Sequence, residues 1–261
     1  MSVQTLDFSG RVVIVTGGSR GVGRGITTRF LESGADVVIC GRNAPDTPVE
    51  SGGRQARFET ADVCDVDQID RVVSATVERF GRLDVLVNNA GGAPAVDAAT
   101  VSPRFSESII RLNLLAPLNF AQRANAQMQT QPDGGSITNI SSVSAMRASP
   151  GTAAYGAAKA GLLSLTQTLA VEWGPRVRIN AISAGMIKTE LAHLHYGDEQ
   201  SIAAVSATVP LGRLGEPSDA GDLCLFLASP LASYVSGANL LMHGGGERPA
   251  FLDAVKDTKD T

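Results

Sequence analysis

The chain has 261 residues, of which 43% are hydrophobic, enough to bury the core of one large or two small domains. A net charge of −4 with no lysine- or arginine-rich run excludes a nucleic-acid footprint, and no apolar run is long enough to span a bilayer. Cys40, Cys64 and Cys224 are too few and too scattered for a disulfide framework and read as buried free thiols; the first basic residue is Arg11, which leaves no secretory leader pattern, so a cytoplasmic location is expected.

Taken in chain order, the apolar, β-branched run Val12-Val13-Ile14-Val15 predicts a buried strand over 11–16. Thr16-Gly17-Gly18-Ser19-Arg20-Gly21-Val22-Gly23 follows, then a helical pattern near 22–33. Strand, glycine turn and helix start make a phosphate cradle, where bare N–H groups and the positive end of the helix dipole face an anion. An ordinary glycine-rich turn is the plainer reading. The spacing is G-x-x-x-G-x-G rather than G-x-G-x-x-G. The second strand, over 36–40, ends in Gly41-Arg42. Two prolines and Gly52-Gly53 argue against a helix between 41 and 54, so a loop or single turn is expected. A strand near 55–59 leads to Asp62-Val63, and a helix over 66–80 to a strand at 83–88 that ends in Asn88-Asn89-Ala90-Gly91.

A helix at 104–128 then carries Asn113, and a strand at 135–140 leads to Ser141-Ser142. A helix at 153–173 holds Tyr155 and Lys159, and further strands fall near 176–182 and 238–243, with a helix at 216–228 between them. Alternating strands and helices predict one doubly wound (Rossmann-type) α/β domain over 1–246, with a mainly parallel seven-stranded sheet. A polar tail follows over 247–261. The ligand crevice belongs at the carboxyl ends of the strands, where all these motifs sit.

Tyr155 and Lys159 are four apart, so they share one helix face. An ammonium about 4 Å from a phenol, at an effective dielectric near 20, attracts its anion by roughly 4 kcal/mol. That predicts a Tyr155 pKa drawn down toward neutrality, where acid/base catalysis works best. A surface pair of no consequence is the alternative.

Together, Thr16-Gly17-x-x-x-Gly21-x-Gly23, Asn88-Asn89-Ala90-Gly91, Asn113, Ser142, Tyr155-x-x-x-Lys159 and Asn180-Ala-Ile-Ser-Ala-Gly185 resemble the short-chain dehydrogenases/reductases. The likeness is to the single-domain branch with 3-oxoacyl-carrier-protein reductases and hydroxysteroid dehydrogenases. The resemblance implies Tyr155 as proton donor or acceptor. It implies Lys159 as the group that lowers its pKa and holds the nicotinamide ribose, and Ser142 as the hydrogen-bond partner of the substrate oxygen. Asn113 would hold a water that feeds protons through Lys159; a buried structural asparagine is the other reading. The cofactor contacts it implies are Gly17, Ser19, Arg20, Gly21, Val22 and Gly23 at the turn, and Arg42, Asp62 and Val63 at the adenosine end. Asn89, Ala90 and Gly91 would wall the cofactor, with Tyr155 and Lys159 at the ribose and Gly185, Ile187 and Thr189 at the nicotinamide. An aspartate that ends a strand or caps a turn is the other reading of Asp62.

With no carboxylate at the end of the second strand, and Arg42 and Arg20 available for a 2′-phosphate, NADP(H) is expected over NAD(H). The chain departs from the family in Ala184-Gly185 for Pro-Gly and His243-Gly for Asp-Gly. His193 and His195 lack an acidic or cysteine partner nearby, so no metal is expected. Met186, Ile187, Leu191, Leu194, Ile202 and Val205 read equally as an apolar substrate lid or as packing. The expected activity is hydride transfer between NADP(H) and an apolar ketone or oxoacyl substrate, in a homotetramer paired through the helix at 153–173, with no membrane partner. A non-catalytic dinucleotide sensor is the alternative.

Overall fold

The computed structural model describes residues 6–247 and Phe251, without the side chains of Leu194 and His195. The expected tail, apart from Glu247 and Phe251, and the roles considered for those two side chains lie outside the described residues.

Seven parallel strands form one sheet in the order β5-β2-β1-β6-β7-β8-β9. They are β1 (Val12–Thr16), β2 (Asp36–Gly41), β5 (Arg57–Thr60), β6 (Val85–Asn88), β7 (Gly135–Ser142), β8 (Val177–Ala184) and β9 (Asn239–Met242). All five residues of β1 are buried, as expected where helices cover both sheet faces. Helices α1 (Gly21–Glu32) and α8 (Pro217–Ala228) cover one face around Val13, Val15, Ile26 and Phe30. Helices α2 (Val66–Phe80), α4 (Ala116–Thr130) and α5 (Ala153–Trp173) cover the other around Ile14, Ile69, Phe120 and Ile137. Strand order reverses between β1 and β6, so the crevice opens at their carboxyl ends.

Two sequence expectations change. Residues 41–54 form no helix, but they are not plain loop either: β3 (Glu50–Ser51) and β4 (Arg54–Gln55) pair as a small antiparallel hairpin. Its turn is Gly52-Gly53, both at positive φ, and it seats Val49 in the core against α1. The continuous helix expected over 104–128 is three pieces: α3 (Pro103–Ile110), a π-helical segment (Arg111–Leu115) and α4. Pro117 explains the break. It has no N–H for the carbonyl of residue 113 and its ring crowds that carbonyl, so the chain widens and the N–H of Ala116 reaches back to Arg111 O. Asn113 sits in this wide turn.

The opposite end of the sheet is held by Asp84, 6% exposed. Its carboxylate accepts from the Val12 N–H at 2.9 Å, Arg11 at 2.9 Å and Arg82 at 2.8 Å.

Candidate active site

The glycine turn is built on the end of β6. Thr16 Oγ1 accepts from the N–H groups of Asn89 and Ala90, both at 3.0 Å, and Asn89 Nδ2 donates to the Thr16 carbonyl at 2.9 Å. Asn89 is therefore spent on holding two loops together. Gly17 is at φ +64°, and a Cβ at Gly23 would lie 2.2 Å from Gly17 O, so no larger residue closes this turn. Arg20, exposed and extended, precedes α1 without capping it by its side chain. The donors at this helix start suit an anion. One of them, the Gly21 N–H, donates to Glu190 Oε1 at 2.9 Å, with Thr189 packed beside Gly21. No spacing in the sequence links residue 190 to residue 21; only the fold brings them together.

At the adenosine end, β2 finishes at Gly41 and Arg42 is exposed. A Cβ at Gly41 would meet nothing closer than Phe58 Cε2 at 3.8 Å, so a side chain fits there. Asp62 Oδ1 accepts from the Cys64 N–H at 2.9 Å, the turn-capping arrangement that its position allowed. Val63 is buried in the core. Cys40 and Cys224 are buried thiols, with Cys40 pushed up to about 12 by burial. Cys64 is half-buried rather than buried.

Ser142 ends β7, Tyr155 lies in the first turn of α5, and Lys159 follows one turn later. Ser142 lies close enough to the Tyr155 hydroxyl to favour its anion. Lys159 Nζ lies 5.6 Å from the centre of the Tyr155 ring and donates to Ile140 O at 2.8 Å. Lys159 is 3% exposed, and that burial pulls its pKa from 10.5 to about 8. Most of the amine is still charged at neutral pH. The expected drop in the Tyr155 pKa is overturned. Burial raises it and outweighs the lowering effect of Ser142, and the ammonium faces the ring and a carbonyl.

Asn113 is fully buried. Its Oδ1 accepts from the Gly92 N–H at 2.8 Å, and its Nδ2 donates to the carbonyls of Gly92 and Ile109, both at 3.0 Å. Gly91 passes between it and the lysine: a Cβ there would lie 2.6 Å from Asn113 Oδ1 and 3.3 Å from Lys159 Nζ. Ser141, the residue before Ser142, is buried and donates to Lys159 O at 3.2 Å.

Beyond β8, Gly185 packs against His243. Ile187 is buried, and its neighbours Met186 and Lys188 exchange backbone bonds with Gly215. Helices α6 (His193–Tyr196) and α7 (Glu199–Thr208), unforeseen in the sequence, form the segment above. Ile202 is buried there with Ala192, Val209 and Leu214, and Met186 and Val205 pack on them. Much of the apolar set is thus this segment's own core, while Leu191 is exposed. No His/Cys/Asp/Glu group able to hold a metal occurs among the described residues. No helix among them is long and apolar enough to cross a membrane. An apolar cavity of about 90 Å³ adjoins Tyr155, walled by Val96, Val101, Phe105, Ile109 and Ala154.

A family model described as enoyl-(acyl carrier protein) reductase matches residues 17–247. L-rhamnose 1-dehydrogenase (NAD(P)(+)) of Azotobacter vinelandii is 38% identical over 246 residues, which span 90% of this chain and 96% of that one. The chain belongs to the short-chain dehydrogenase/reductase family. Another member, the 3-oxoacyl-[acyl-carrier-protein] reductase of Thermotoga maritima, is 34% identical, over 91% of this chain and 98% of its own. The ligand-free structure of Thermoplasma acidophilum aldohexose dehydrogenase superposes with a TM-score of 0.84 at 31% identity, covering 92% of this chain and 94% of that one. As a short-chain dehydrogenase/reductase, the protein is an NAD(P)-dependent oxidoreductase acting on a small molecule.

Proposed function

We propose that this enzyme moves hydride between NADP(H) and a ketone or secondary alcohol bearing a compact apolar group, with Tyr155 as the general acid/base. The observation that carries the reading is the convergence of Ser142, Tyr155 and Lys159 at one end of β7, beside Gly91 and Asn113. The turn 17–23 would hold the pyrophosphate, Asp62 and Val63 the adenine, and Lys159 and Tyr155 the nicotinamide ribose. Asn89, Ala90 and Gly91 would line the wall, and Gly185, Ile187 and Thr189 the nicotinamide side. The nicotinamide supplies or accepts the hydride, which no side chain can do.

In the reducing direction Tyr155, protonated at neutral pH, would give its proton to the carbonyl oxygen. Ser142 donates a hydrogen bond to the same oxygen and stabilises its developing charge. Lys159, charged below about 8, would hold the nicotinamide ribose and pass a proton back to Tyr155, with Asn113 ordering the route to solvent.

Arg20 and Arg42, both exposed at the crevice, support selection of a 2′-phosphate by charge-assisted pairs. The uncharged cavity beside Tyr155 supports an apolar substituent of a few carbon atoms. Ala153, Ala157, Ala160, Ser164 and Val171 form an exposed stripe on α5, with Val171 84% exposed. That stripe supports pairing with a second copy within a homotetramer. Three unpaired thiols support a cytoplasmic setting.

The test is oxidation of a panel of short secondary alcohols, 3-hydroxyacyl thioesters and aldoses with each cofactor. The expected result is kcat/KM at least about tenfold higher with NADP+, worth about 1.4 kcal/mol. A preference for NAD+ would overturn the cofactor reading, and activity confined to polar aldoses would overturn the substrate reading.

A further inference from the structure

The seam between β7 and α5 carries an arrangement that the chemistry above does not explain. Asn139 Nδ2 donates to Thr166 Oγ1 at 2.9 Å, and Ser141 Oγ donates to Lys159 O at 3.2 Å. Residues 139 and 141 lie on one face of the strand, and residues 159 and 166 on one face of the helix. All four are buried. Two such bonds, spaced along both elements, fix how far α5 slides along β7 and how it is rotated. The second falls at the site: Ser141 precedes Ser142, and Lys159 lies one turn beyond Tyr155. Lys159 is held at both ends by consecutive residues of β7, its carbonyl by the Ser141 hydroxyl and its ammonium by Ile140 O at 2.8 Å. Gly156 lets the first turn of α5 approach the turn that follows β7, since a Cβ there would come within 2.9 Å of Ser144 O.

The Lys159 carbonyl lies inside α5, where the helix ladder offers it an N–H four residues on. The Ser141 bond is therefore an addition, placed where it sets position. We propose that Ser141 is a positioning residue that clamps the turn carrying Lys159 onto β7 and so keeps the amine in its dry slot beside Tyr155. This rests on the reading of Tyr155 and Lys159 given above. The groups facing Nζ are Ile140 O, the Tyr155 ring and, across Gly91, the Asn113 amide.

The experiment follows the ε-methylene signal of Lys159 through a pH titration by NMR of protein with isotopically labelled lysine. The chain has four lysines, and Lys159→Met assigns the signal. In the wild type Lys159 is expected to titrate near 8. In Ser141→Ala the loosened turn admits water, and the amine's proton affinity is expected to rise by at least about threefold, half a pKa unit. Ser141→Thr, which keeps the hydroxyl, is expected to restore the wild-type value. Ser141→Cys has a similar volume and a weak donor, so it supplies the same test should the alanine variant fail to fold. An unchanged Lys159 titration in whichever of Ser141→Ala and Ser141→Cys folds would overturn the clamp while leaving the catalytic reading intact. An ordinary lysine pKa in the wild type would instead overturn the buried-lysine reading itself.

Discussion

A buried lysine with a lowered pKa makes folding stability depend on pH in a defined direction. The perturbation is Lys159→Met, which keeps length and apolar bulk and removes the titrating amine. In the folded protein Lys159 loses its proton near 8, against 10.5 for the ordinary side chain. At about 1.4 kcal/mol per unit, the depression corresponds to about 3 kcal/mol. The folded pKa lies below the unfolded one, so between these pH values the unfolded chain binds more protons and stability rises with pH. Below about 8 the wild type carries the full cost of burying a charge; above about 10.5 it carries none. Methionine carries none at any pH, but it leaves Ile140 O without the amine at every pH, a constant loss of about 1–3 kcal/mol. The assay is urea unfolding of both proteins, without added nucleotide, across that range. The stability of Lys159→Met relative to wild type is expected to fall by about 3 kcal/mol from the bottom of the range to the top. A flat difference would refute the reasoning, since it would mean the amine is solvated or pairs equally well in both states.

Thr138 Oγ1 is buried on β7 with no hydrogen-bond partner, so Thr138→Val is expected to stabilise the fold by about 1 kcal/mol; destabilisation in thermal unfolding would show that the hydroxyl is satisfied. Asp84→Asn removes the charge that holds Arg11 and Arg82 beside the Val12 N–H, and should cost about 2–4 kcal/mol by the same measurement. Gly41→Asp introduces a carboxylate where a Cβ meets only Phe58 and Asn43 at 3.8 Å and beyond. Calorimetric titration should show NADP+ affinity falling by at least about tenfold while NAD+ affinity is kept or improved; equal losses for both would point to steric damage.

The sheet was legible because β1, β2 and β6 are short apolar runs bounded by glycine or asparagine, which long-range packing had no reason to override. The break in the helix near Asn113 was marked by Pro117, but one proline four residues past a functional side chain does not announce a π-helical turn. The hairpin at 50–55 was half legible: Gly52-Gly53 ruled out a helix, while its two-residue strands are too short to show an alternating pattern. Of the site, the spacing of Tyr155 and Lys159 was visible, but their electrostatics were not. Sequence gives proximity on a helix face; it does not give the burial that raises the phenol, or the Ile140 carbonyl that takes the ammonium. Ser141 and Glu190 were silent for a similar reason, since each acts through a backbone group far away in the chain.

Proton transfer by Tyr155 is tested by Tyr155→Phe, assayed on whichever alcohol of the panel the wild type oxidises best. The substitution removes one hydroxyl and keeps the ring against Lys159. A fall in kcat of about 10²–10⁴-fold is expected, with a far smaller change in NADP+ affinity, since Lys159 and the glycine turn still hold the nucleotide. A variant that turns over at the wild-type rate would contradict proton transfer by Tyr155.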